Sequence, residues 1–115
     1  MARTTLSKTT LPGGSSSGVG FQEFTWTAAD ISNFNAFAST GKEVLMIRNV
    51  NAASPLVSYT VTLHKVAGRI EVTLAGGEYA CTGQIPMAGW KQTSDSNVWV
   101  DAPNADIEFA VLVLP

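Results

Sequence analysis

The chain has 115 residues, 45% of them apolar and 14% charged, with 7 basic side chains against 9 acidic. That length makes one domain, and a net charge of −2 with a pI near 5.2 argues against nucleic acid as a partner, because binding a phosphate backbone takes a dense set of cations. A single cysteine, Cys81, excludes an intramolecular disulfide, and a single histidine, His64, excludes a His-rich metal site, so the fold is expected to rest on packing, with no cofactor.

Residues 1–20 differ from the rest. Eight of them are Ser or Thr and four are Gly, and Leu6, Leu11 and Val19 are almost their only sizeable apolar side chains. Such a stretch buries too little to offset roughly 1–2 kcal/mol of backbone entropy per residue, and it reads as a flexible arm ahead of a body at 21–115. Arg3 and Lys8 precede the first acid, Glu23, so the arm is cationic and the body anionic. Gly13-Gly14 and Gly18-Val19-Gly20 read as hinges, since neither leads into the helix and Lys-Ser/Thr of a phosphate-binding loop. The N-terminus has no continuous apolar stretch of the secretory kind, and no apolar run approaches the ~18 residues of a membrane span. Neither export through such a signal nor a membrane partner is expected.

From Phe21 onward the apolar pattern has period 2. Phe21–Thr27 is a short strand candidate, while the Asn and Ser content of 28–39 reads as an ordered loop. Glu43–Val50 and Ile107–Leu114 are nearly continuous apolar runs, as expected of central strands covered on both faces. Val57, Tyr59, Val61 and Leu63 alternate with Ser58, Thr60, Thr62 and His64, and Ile70, Val72 and Leu74 repeat the alternation. Tyr79–Ile85 and Asn97–Asp101 complete the set. Turn residues fall between the strands at roughly 8–12-residue spacing, the cadence of a β-sandwich or small barrel. The expected fold is all-β: seven to eight antiparallel strands in a sandwich or jelly roll, preceded by an extended arm.

Few residues invite chemistry. His64 lies on the polar parity of its strand and is expected at the surface, with no nucleophile motif to serve. Cys81 sits among small residues without basic neighbours and reads as a packed, inert thiol. The carboxylates show no calcium-loop or paired pattern. Trp26, Trp90 and Trp99 are expected in the core or at its rim, with an interface or a sugar platform as the other uses of such rings. No catalytic, cofactor or metal residue is assigned.

The stretch Thr40-Gly41-Lys42-Glu43-Val44-Leu45-Met46-Ile47-Arg48-Asn49, then Ala75-Gly76-Gly77-Glu78-Tyr79, Gly89-Trp90-Lys91-Gln92-Thr93 and the closing Phe109-Ala110-Val111-Leu112-Val113-Leu114-Pro115 resemble small β-rich structural proteins of tailed-bacteriophage heads. The resemblance spans roughly residues 40–115 and implies a role in particle architecture, without catalysis. Its decoration (cement) form would sit on the capsid surface of a virion assembled in the host cytoplasm, bind the major capsid protein and self-associate, most simply as a homotrimer. Under that reading Arg3 and Lys8 meet acidic capsid surface, Leu6 and Leu11 fill apolar hollows there, and Trp90 adds a contact. The competing readings are a carbohydrate- or receptor-binding sandwich using Trp90 or Trp99, and a head-completion or tail component.

Overall fold

The computed structural model describes residues 2–13 and 20–115. The hinge reading of Gly14, Gly18 and Val19 lies outside these residues. The ten strands are β1 (Thr4–Thr5), β2 (Lys8–Thr10), β3 (Thr27–Ala28), β4 (Asn35–Ala38), β5 (Glu43–Asn49), β6 (Tyr59–His64), β7 (Arg69–Leu74), β8 (Tyr79–Cys81), β9 (Asn97–Asp101) and β10 (Ile107–Val113).

They form a β-sandwich of two five-stranded sheets. One sheet runs β1-β4-β9-β6-β7; the other runs β2-β10-β5-β8, with β3 also on β10. The all-β sandwich follows from the alternation. In β6, Val61 and Leu63 turn inward while Thr60 and Thr62 turn out, and β9 sends Val98 and Val100 inward in the same way. Phe37, Leu45, Ile107, Phe109 and Val111 fill the space between the sheets and are fully buried.

Several expectations need correcting. Residues 4–5 and 8–10 are no separate arm: β1 pairs with β4 and β2 pairs with β10, both in parallel, so the sandwich is not wholly antiparallel. Asn35–Ala38, read as loop, is a strand with Phe37 at its centre. Phe21–Thr27 contributes only Thr27, the first of the two residues of β3, and Phe21 stands fully in solvent. β5 and β10 are central, but β5 alternates between buried and half-buried positions, because only one face of its sheet packs against the other sheet.

One loop illustrates how turns fix the strands. Asn49 is buried and donates its amide to the carbonyls of Val57 (3.0 Å) and Leu74 (2.9 Å), while its side-chain oxygen accepts from Asn51 N–H at 2.9 Å. Gly76 packs against the same loop so closely that a Cβ there would stand 2.3 Å from the Asn51 carbonyl oxygen.

Candidate contact surfaces

The two sheets leave a seam along each side of the sandwich. The N-terminal segment closes one of them, passing from β1 on one sheet to β2 on the other, with Leu6 between the two strands. Leu6 is 3% exposed and belongs to the core. Main-chain bonds flank it: Thr4 N–H to Phe34 O (2.9 Å), Leu6 N–H to Ala36 O (2.8 Å) and Leu11 N–H to Val113 O (2.8 Å). Phe34 offers its carbonyl from a left-handed conformation (φ 62°) that bulky side chains rarely adopt.

Side chains complete the attachment. Arg3 pairs with Asp101 and reaches the Asn35 carbonyl at 3.2 Å, and Thr4 donates its hydroxyl to Asp30. Lys8 Nζ lies 3.1 Å from Glu43 and 3.0 Å from the Ala38 carbonyl. The residues assigned to capsid contact are therefore engaged within the chain: Leu6 lies in the core, Arg3 and Lys8 hold carboxylates of the body, and Leu11 is half-buried at the end of β2. The physical reason is pairing. Backbone ladders at two sheet edges and one buried leucine repay the entropy that composition alone leaves uncompensated.

Two of these carboxylates carry the imprint of their donors. Burial alone would raise the Glu43 carboxyl, but the Thr40 hydroxyl, the Thr40 N–H and Lys8 outweigh it and hold the group below its ordinary range. Asp30 is lowered to about 2, first by the Thr4 hydroxyl and then by the Asn33 and Ser32 N–H groups. Asp101, Glu43 and Asp30 were invisible as a set in the sequence, since they lie 98, 35 and 26 residues from their partners.

Each tryptophan is half-buried with a cation over its ring: Arg48 over Trp26 at 4.5 Å, Lys65 over Trp90 at 5.4 Å and Arg3 over Trp99 at 4.5 Å. Trp90 also packs on the core, as the rim reading expects. On the outer face of the second sheet Arg48 lies between its cross-strand neighbours Glu108 and Tyr79, donating to Glu108 at 2.7 Å, and that bond raises the guanidinium further above its already high range. Trp26 meets Phe24 and Tyr79 edge-on there. His64 is not free at the surface: its Nε2 lies 2.8 Å from Asp101, the carboxylate that also binds Arg3, and its ring meets Trp99 edge-on.

The opposite seam, between β7 and β8, stays open. It holds an apolar groove of about 250 Å³ lined by Ile47, Leu63, Ile70, Val72, Ile85 and Trp90. Cys81 lines it too and is exposed, which corrects the reading of a packed thiol: β8 is a three-residue edge strand with no further strand beyond it among the described residues. Among the described residues no group of three His, Cys, Asp or Glu is placed to hold a metal ion. No family model, curated protein or solved structure matches the chain.

Proposed function

We propose that this chain is a structural protein that acts by surface contact, and that it decorates an assembled bacteriophage head by binding the major capsid protein. The observation that carries the reading is the apolar surface the body keeps in water although its core is complete: Phe21, Ile31, Leu56, Ile70, Tyr79 and Met87 are all exposed. Scattered apolar residues are ordinary on a surface, but here they accompany an open apolar groove and three cation-capped aromatic rings, which suits a protein held by area. Small contacts repeated on a symmetric shell add through avidity. The sequence resemblance of residues 40–115 supplies the particular setting. Since Leu6, Arg3 and Lys8 are occupied by the chain's own body, shell contact falls to the body rather than to an arm.

The test is cosedimentation of the purified chain with phage heads prepared without it, counting copies per head. Saturable binding at hundreds of copies, weakened by Leu56→Asp and Met87→Asp with the fold intact, is expected. Heads that sediment without the chain at any concentration would refute the reading.

A further inference from the structure

β7 is the exposed edge of its sheet, and at six residues it is much longer than the other edge strands, which have two or three. Soluble proteins blunt such edges with proline, a bulge or an inward-pointing charge. The sequence Arg69-Ile70-Glu71-Val72-Thr73-Leu74 has no proline, and its inward positions are Ile70, Val72 and Leu74, opposite Leu63, Val61 and Tyr59 of β6. Ile70 is 49% exposed and lines the open groove.

The ladder also fixes which backbone groups of β7 are free. Lys65 N–H donates to Gly68 O at 2.9 Å, which closes the β6–β7 hairpin with a hydrogen-bonded pair. Such pairs alternate along an antiparallel ladder, so residues 68, 70, 72 and 74 direct their N–H and C=O toward β6. Residues 69, 71 and 73 direct theirs away from the sheet, where no strand among the described residues receives them.

We propose that β7 pairs with β7 of a second copy, antiparallel about a two-fold axis at Ile70, joining the two sheets into one. In this register Arg69 of each copy stands opposite Glu71 of the other. Both are hydrogen-bonding positions on the free edge, which gives about four backbone bonds between the copies. Arg69 and Glu71 already meet at 2.9 Å within one chain, so the pairing makes an alternating quartet of charges on the outer face. On the groove side the two Ile70 residues face each other as a non-hydrogen-bonded pair, about 4.5 Å apart at Cα, and lose their exposure to water. Registers centred on Glu71 or Val72 lack this charge match; the first sets Glu71 against Glu71. A guard of one sign would repel a second copy, whereas this edge is complementary to itself. The contact is two-fold, in place of the three-fold association implied by the resemblance. It does not depend on a phage setting.

The pairing is tested by analytical ultracentrifugation of the full chain from about 1 µM to 1 mM, since so small an interface belongs at the weak end of specific association. Wild type is expected to be a concentration-dependent dimer. Arg69→Glu and Glu71→Arg should each weaken it by at least about tenfold, because each sets like charges opposite, and the double exchange should restore it. All are exposed positions, and circular dichroism verifies the fold. Hydrogen exchange gives a second readout: protection of the Arg69 and Glu71 amides should rise with protein concentration, while that of Ile70 and Val72 stays constant. A wild-type monomer throughout the range would overturn the proposal. So would an oligomer indifferent to both single exchanges, or concentration-dependent protection at other strands with none at Arg69 and Glu71.

Discussion

Burying Glu43 takes a carboxylate out of water, and its donors alone make that tolerable: Thr40 through N–H and hydroxyl, and Lys8 at 3.1 Å. Because the folded pKa lies below the unfolded one, the group's contribution is fully present above the unfolded value of about 4.3 and disappears as pH falls through the lowered folded value. Asp30 has the same sign, with its window between 3.8 and about 2. Urea unfolding measured against pH should therefore show a plateau above about pH 5 and a decline below about pH 4.3, shallower in Glu43→Gln. Lys8→Met leaves the buried carboxylate without its cation and should cost about 3 kcal/mol at pH 7, with a shallower decline in acid because the folded pKa moves up toward the unfolded one. Asn49 is the neutral counterpart. Asn49→Ala strips the donor from the carbonyls of Val57 and Leu74 and should cost about 2–3 kcal/mol in the same assay, with no change in the pH profile.

At the scale of elements, the N-terminal segment decides between two pictures of the molecule. If residues 2–11 were a loose arm, Leu6→Ala would leave stability unchanged. As the plug of a seam at 3% exposure, Leu6 should instead cost about 2–5 kcal/mol on truncation to alanine, a large share of the ~5–15 kcal/mol typical of a domain, and the urea midpoint would fall accordingly. The strands that were legible in the sequence are β5, β6, β7, β9 and β10, whose own alternation or apolar run encodes burial, and β8, the first three residues of the stretch Tyr79–Ile85. β1 and β2 were not, because a Thr-Thr or Lys-Thr-Thr stretch has no pattern of its own and becomes strand only when an edge of β4 or β10 supplies partners. β4 was hidden for a related reason. Its burial rests on one Phe between small residues, in a stretch whose Asn and Ser side chains suggest a loop. The ion pairs of the site were illegible for a third reason: nothing in local spacing ties Arg3 to Asp101, and only the fold brings them together.

For the molecule as a whole, the two seams differ in what closes them, and that difference fixes which side is available to other molecules. One seam carries Leu6 under two ladders, a main-chain bond to Val113 and two ion pairs; the other ends in a six-residue edge, a groove and an exposed thiol. Thiol reactivity reads both. In the native protein Cys81 should react with an aromatic disulfide reagent at nearly the rate of the urea-unfolded chain, since no opening has to precede attack. A thiol placed at the other seam, as Leu6→Cys in a Cys81→Ser background, should react at least about a hundredfold more slowly, because access requires an opening of about 2.8 kcal/mol or more. The urea dependence of that slow rate then separates two mechanisms. A steep dependence, equal to that of global unfolding, means the segment leaves only when the sandwich does, so that of the two seams only the β7–β8 one is open to other molecules. A flat dependence means that residues 2–11 detach alone, exposing the edges of β4 and β10 and the Leu6 hollow on a body that is otherwise folded. With Asp30 held low first by Thr4, and Glu43 by Thr40 and Lys8, mild acid down to about pH 5 should leave the slow rate unchanged relative to that of the urea-unfolded chain at the same pH, a ratio in which the falling thiolate fraction cancels.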